Sequence, residues 1–199
     1  MPSSRLAAPD PAADLVVLLD EHRRPVGTAP REGVHSRTTP LHLAYSCWLF
    51  DAHGRFLLTR RALGKRSWPG VWTNSFCGHP RPGELPAAAV IRGGVSELGV
   101  DVHSVVELLP YFAYRAVDAS GVVEHEFCPV FVARVDGEVR PHPDEVAEHR
   151  WMHLDELRAA LEAAPWALSP WFREQAALLD DDAWARLSAL APTREGAAA

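Results

Sequence analysis

The sequence predicts an α+β fold, a sandwich built on a mixed sheet, from three observations. Strand-like and helix-like runs interleave, but without the regular strand–helix–strand spacing of a doubly wound parallel sheet. Turn chemistry falls twice between β-branched and aromatic runs, at Asp51-Ala52-His53-Gly54 and at Asp118-Ala119-Ser120-Gly121, which marks hairpins. Helical periodicity is concentrated near the C-terminus, and the chain carries no internal repeat.

The elements follow in order. Leu15–Leu19 is a short apolar run closed by Asp20, a first strand. Residues 41–50 and 55–60 flank the first turn as a hairpin. Residues 85–98 read as a short helix, with Pro86 in the first turn and Gly99 just past the end, although the Gly93-Gly94 pair weakens it. Residues 105–114 and 122–135 form the second hairpin, rich in residues that suit a pleated surface. A strand at 149–152 precedes helices at 154–163 and 170–190. Residues 1–13 and 192–199, without an apolar pattern, are expected to be disordered tails around one folded domain at 14–191.

A chain of 199 residues with 47% apolar and 23% charged residues suffices for one domain with a full core. Its net charge of −6 is spread along the chain, so no dense basic face is available for a nucleic-acid backbone. No apolar run approaches the roughly 18 to 20 residues of a spanning helix, and the first residues lack a signal-peptide core. A cytoplasmic protein is expected, without membrane or nucleic-acid partners and monomeric, with a dimer left open. Three cysteines, Cys47, Cys77 and Cys128, cannot all pair within one chain, and reduced thiols fit that compartment.

Candidate chemistry gathers in a few places. In the run EHEFCP, Glu124 and Glu126 occupy alternate positions of a strand and project from one face with Cα atoms about 7 Å apart. Taken alone, such a pair is more often solvated, but the apolar neighbours Val122, Val123 and Phe127 suggest half-burial, where carboxylates need partners. His79, between Gly78 and Pro80, lies on a bent backbone suited to aim an imidazole at a metal, and His35 and His42 flank a Thr- and Pro-rich segment. Three imidazoles and two carboxylates would suit a six-coordinate Mg²⁺, Mn²⁺ or Zn²⁺. Cys47 and Cys128 sit in apolar runs as inert thiols. Cys77 precedes a break in regular structure, so an exposed thiol of lowered pKa is expected there, serving as nucleophile or acid/base. Arg60, Arg61, Lys65 and Arg66, with Arg31 ahead of His35, form either a solvated basic loop or a clamp for a phosphate or diphosphate.

Together the runs TRRALGKRSWPGVWTNSFCGHP, LHLAYSCWLF, VVEHEFCPVF and PWALSPW resemble the type I isopentenyl diphosphate isomerases, a branch of the Nudix superfamily. The likeness spans most of the chain, and several strings in one order are more specific than any single motif. It implies a Nudix-type α/β/α sandwich. The Nudix box runs from Gly78 through Glu84 and Arg92 to Glu97, Gly99 and Val100, but Gly93 and Ser96 stand where the pyrophosphohydrolase pattern has Glu. That argues against a hydrolase, which needs those carboxylates to collect cations and activate water.

The resemblance further implies interconversion of isopentenyl and dimethylallyl diphosphate through a tertiary carbocation, with no organic cofactor. Position by position, Cys77 and Glu126 match the two acid/base groups, and Tyr114 assists at the Glu126 side. His35, His42, His79, Glu124 and Glu126 match metal ligands. Glu97 matches a residue that, with the Cys77 carbonyl, holds Mg²⁺ against the diphosphate. Arg31, Arg61 and Lys65 match diphosphate contacts, and Trp171 faces the cation. Trp68, Trp72 and Trp166 are candidates to help enclose the site. Where Gly93 stands, family members commonly carry a basic residue, so one diphosphate contact is expected to be missing and Gly93→Arg to lower KM. A hydrolase of a nucleoside or prenyl diphosphate and a silent metal- and ligand-binding protein are the competing readings.

Overall fold

The computed structural model describes residues 14–190. The tails expected at 1–13 and 192–199 lie outside them, as does Ala191. Among the described residues, twelve strands form two sheets. The first takes the order β2-β1-β3-β10-β9, from β1 (Leu15–Leu19), β2 (Pro25–Pro30), β3 (His42–Leu43), β9 (Ala113–Val117) and β10 (Val123–Phe127). The second takes the order β12-β5-β4-β11-β8, from β4 (Tyr45–Phe50), β5 (Phe56–Arg61), β8 (His103–Leu109), β11 (Val130–Arg134) and β12 (Val146–Met152). Short β6 (Trp72–Thr73) and β7 (Phe76–Gly78) pair with β5 and β4. Both sheets are mixed, because β3 runs parallel to β10 and β4 parallel to β11.

Strand β4 shows how the sandwich is filled. Successive side chains point to opposite faces, so Tyr45, Cys47 and Leu49 enter one core with Phe76, Val90 and Leu98, while Trp48 and Phe50 enter the other with Leu157, Phe172 and Trp184. Helix α1 (Pro86–Leu98) covers the first face; α2 (Leu154–Ala163), α3 (Pro170–Ala177) and α4 (Asp181–Ser188) cover the second. The result is the α/β/α arrangement with a mixed sheet that the sequence implied.

Three corrections come from backbone changes inside apolar runs. The run 41–50 is two strands, leaving one sheet after Leu43 and joining the other at Tyr45. The second hairpin likewise crosses between sheets at Pro110-Tyr111-Phe112 and at Cys128-Pro129, where Cys128 N donates to Phe112 O at 2.9 Å. These three crossings lie side by side. The helix expected at 170–190 breaks after Leu178, because Asp180 caps a new helix by accepting from Ala183 N at 2.7 Å. The first hairpin forms, but β4 and β5 pair only at Phe50 and Phe56 before they splay.

The glycine pair in α1 has a packing reason. A Cβ at Gly93 would lie 1.9 Å from the Tyr45 hydroxyl, and one at Gly94 would lie 2.7 Å from Val102 Cγ1. The roughly 1 kcal/mol that each glycine costs a helix is therefore offset by close approach of α1 to β4 and β7. It also bears on the arginine considered at 93: Gly93 is buried against Tyr45 and Phe76, so a longer side chain there would have to displace the Tyr45 phenol.

Candidate active site

The cluster of imidazoles is assembled by strand register. His42 on β3 pairs with Glu126 on β10, so two side chains 84 residues apart in sequence are cross-strand neighbours. The loop from His35 to His42 is tied to the start of β10, since Val123 N donates to Ser36 O at 2.8 Å and Thr39 Oγ1 to Val123 O at 2.5 Å. His79 follows β7 directly. One ligand atom from each of His35, His42, His79 and Glu126 lies within 4.8 Å of all the others. Glu126 Oε1 is 3.4 Å from His35 Nε2, 3.4 Å from His42 Nε2 and 3.3 Å from His79 Nε2.

These donors suit a divalent cation. His42 donates Nδ1–H to Pro40 O at 2.9 Å, which orients the ring and turns Nε2 toward the cluster. Burial by itself would raise the Glu126 carboxyl, but hydrogen bonds from the three imidazoles hold it well below the ordinary range. Burial pulls the histidines down; at His42 the Glu126 contact more than offsets this and raises it, whereas His79 stays lowered. Metal uptake by imidazole and carboxylate donors competes with protons, so it is expected to depend on pH. Three nitrogens and one oxygen match the ligand preferences of divalent transition ions.

Glu124 stands apart from these four atoms. The pair does share one buried face of β10, as the alternation predicted. However, Ser67 Oγ donates to Glu124 Oε1, and Tyr114 Oη lies 2.7 Å from Glu124 Oε2 and 2.9 Å from Glu126 Oε2. One phenolic proton serves only one of these carboxylates at a time. Burial, then the two glutamates, push Tyr114 well above its ordinary pKa, so it stays a neutral donor.

Cys77, on β7, shares a hydrogen bond with Ser46 Oγ at 3.2 Å and accepts from Asn74 Nδ2 at 3.2 Å. The thiol is half-buried, and burial pushes it up to about 12 against the smaller opposing pull of Ser46 and Asn74. This corrects the expectation of an exposed thiol of lowered pKa: Cys77 is a neutral S–H. Cys47 and Cys128 are buried, as inert thiols should be.

Asn74 and Ser46 were missed by the sequence reading, and both fix the thiol. Asn74 is fully buried, donates to Cys47 O and Phe76 O, and accepts from Trp171 Nε1 at 3.1 Å, so it sets Cys77 and Trp171 together. Ser46 accepts from Gln175 Nε2 at 3.0 Å, tying the thiol to α3. Asn74 lay within the quoted TNSFCGHP run, but a buried amide acting through its neighbours has no spacing signature.

Cys77, Tyr114, Glu124, Glu126 and Trp171 line one cavity of about 110 Å³ together with His35, His79, Arg31, Arg61, Lys65 and Glu97. Trp171 packs against Tyr114 at 5.5 Å between ring centroids, and the Arg61 guanidinium lies 5.4 Å from its ring. Trp68, with φ 49°, meets Trp171 edge-on at 6.0 Å and packs behind it. Trp166 is 82% exposed and does not help enclose the site. Arg61 donates to Ser67 O and its Nε is buried without a partner, an unmet donor beside the cavity. Glu145, also missed, pairs with Lys65 and lines the cavity. Burial and then Glu145 push the Glu97 carboxyl up to about 8. In the box itself, Arg92 forks onto Glu84 at 2.9 and 2.7 Å and donates to His79 O at 3.0 Å, which fixes the loop carrying His79 to α1.

No helix among the described residues is long and apolar enough to cross a membrane. The NUDIX domain model matches residues 40–174. The fold is similar to that of DR0079 from Deinococcus radiodurans, with a TM-score of 0.61 and 20% identity over 80% of this chain and 95% of that one. An isopentenyl-diphosphate Delta-isomerase of Agromyces mediolanus is 57% identical over 171 residues, 86% of this chain and 83% of that protein. That of Frankia alni is 60% identical over 162 residues, 81% of this chain and 84% of its own length. With the imidazole cluster, the box and the cavity in these positions, the chain belongs to the NUDIX domain family and, within it, to the isopentenyl-diphosphate Delta-isomerases.

Proposed function

We propose that the protein interconverts isopentenyl and dimethylallyl diphosphate by adding a proton to one alkene carbon and removing one from another. The observation that carries this reading is that Cys77, a thiol that burial pushes up, and Glu126, a carboxyl that three imidazoles hold down against burial, line the same small cavity. Protonation of the terminal methylene carbon leaves a tertiary cation, and loss of a proton from the carbon nearer the diphosphate forms the new double bond. One proton enters and one leaves. Each direction needs one group holding a proton and one able to take it, and the two environments supply one of each.

Tyr114 holds the Glu126 side through its hydroxyl, and the indole face of Trp171 stabilises the cation by about 2 kcal/mol when desolvated. Trp68 and Trp171 help exclude the water that would capture it. The diphosphate is bound by Arg31, Arg61 and Lys65. His35, His42, His79 and Glu126, joined by Glu124 from the same face of β10, would hold a divalent ion, Mn²⁺, Mg²⁺ or Zn²⁺, which would supply fixed positive charge beside Glu126. Glu97 and the Cys77 carbonyl would hold Mg²⁺, which would supply charge to offset that of the diphosphate. The hydrolase alternative is disfavoured because the box position at Gly93 has no space for a carboxylate side chain.

Incubating the protein with isopentenyl diphosphate and Mg²⁺ in D₂O tests this by NMR. Dimethylallyl diphosphate carrying solvent deuterium is expected. Release of phosphate or diphosphate without isomerisation would replace the reading with hydrolysis.

A further inference from the structure

A second, polar cavity of about 360 Å³ adjoins the first and shares Arg31, Gly78, His79, Glu97 and Glu145 with it. Arg81, Arg92, Ser96 and Tyr45 also line it. Tyr45 is the unexpected member. Its residue is 1% exposed, and its ring lies in the apolar core against Phe76 at 6.1 Å, yet its phenol end reaches a polar wall. It does so through a gap left by two glycines. A Cβ at Gly93 would come within 1.9 Å of the hydroxyl and one at Gly78 within 2.6 Å, so side chains at either position would collide with it.

The Tyr45 hydroxyl is not sealed in the core but opens into this cavity, where a ligand acceptor can take the place of water. Among the described residues the Tyr45 hydroxyl has no hydrogen-bond partner. Tyr114, the other buried phenol of the site, has two carboxylates within reach of its one proton. The hydroxyl faces a cavity of mixed charge, lined by Arg31, Arg81 and Arg92 and by the carboxylates of Asp14, Glu97, Asp144 and Glu145, and it is a donor free to meet an anionic oxygen that the arginine side of that cavity admits.

We infer that the Tyr45 hydroxyl is a diphosphate-binding group of this protein, donating a hydrogen bond to an anionic oxygen of the substrate through the space that Gly78 and Gly93 leave open. The inference rests on the proposed reaction for the identity of the substrate, and it makes the missing contact expected at position 93 a relocated one. The donor comes from β4 rather than from α1. Tyr45 and Gly93 are then a linked pair, because any side chain at 93 displaces the hydroxyl.

The test compares wild type with Tyr45→Phe, which removes one atom and leaves the ring in its core. A hydrogen bond to a charged group of about 1.5 kcal/mol or more corresponds to about a tenfold effect. KM for isopentenyl diphosphate should therefore rise about tenfold, with kcat changing by a smaller factor. Calorimetry with inorganic diphosphate should show the same loss of affinity whether or not Mg²⁺ is present. Gly93→Ala should weaken diphosphate binding in the wild-type background and have little further effect in Tyr45→Phe, where the hydroxyl is already gone. Unchanged diphosphate affinity in Tyr45→Phe overturns the inference. So does a loss confined to solutions with Mg²⁺, which would assign the hydroxyl to Glu97 rather than to the anion. Wild type that binds inorganic diphosphate better than Tyr45→Phe but fails to isomerise removes the proposed reaction and leaves the inference standing.

Discussion

The two walls of the cavity are built from opposite materials. On one, Glu126 is surrounded by three imidazoles and a phenol, and hydrogen bonds keep a buried carboxylate ionised. On the other, Cys77 is held by a hydroxyl and an amide, neutral dipoles that do not offset burial, and the thiol keeps its proton. Burial acts on both groups in the same direction, toward the neutral form. What separates them is the strength of the hydrogen bonds that oppose it, three imidazoles at Glu126 against a hydroxyl and an amide at Cys77. A pair of groups with opposite resting protonation is what a reaction needs when one proton enters and another leaves.

The largest effects should come from removing either wall's reactive group. Cys77→Ala and Glu126→Gln should each lower kcat about 10³-fold or more, the scale of a lost acid or base, read as the rate of deuterium incorporation. If one variant keeps substantial activity, the two walls are not equal partners. A smaller loss, about 10²-fold in kcat, is expected for Asn74→Ala, because the amide orients Cys77 and Trp171 without reacting. That variant should also lose about 1–3 kcal/mol of stability in urea unfolding, from polar groups left buried without partners. Tyr114→Phe acts on the other wall and should cost about tenfold in kcat; because it removes a donor shared by two carboxylates, metal binding should need a higher pH or shift its midpoint, measured by titration at several pH values.

The smallest expected effect lies outside both walls. Arg92 holds the Glu84 carboxyl below its ordinary pKa. A lowered carboxyl contributes stability above its unfolded value and loses it as pH falls through the folded value. Melting temperature should therefore fall less in Glu84→Gln than in wild type as pH drops from about 6 to about 3. An equal fall in both proteins would mean that the fork adds nothing to stability.

The same contrast explains what could be read from the sequence. Alternation in VVEHEFCPVF was enough to place Glu124 and Glu126 on one buried face, and the resemblance named the residues that the fold brings to the cavity. The strand-switching at Ala44 and Cys128-Pro129 was hidden, because an apolar run reads the same whether it pairs with one sheet or two. The thiol's protonation was misread for a related reason: its neighbours in space, Ser46 and Asn74, set its charge, whereas its neighbours in sequence suggested exposure and histidines. Glu124 lines the same cavity, and its oxygens are engaged by Ser67 and Tyr114, contacts that spacing along β10 does not encode. Gly93 looked like a loss until Tyr45, far away in sequence, was seen to fill the space.

The difference between the walls is tested most directly by the alkylation rate of Cys77 as a function of pH, followed by mass spectrometry on protein stripped of metal. A thiol at about 12 should react ever faster with rising pH and show no midpoint through the accessible range. A midpoint at or below the ordinary value of about 8.5 would mean that the thiol wall, like the carboxylate wall, favours the ionised form, and the account of two opposed groups would be wrong.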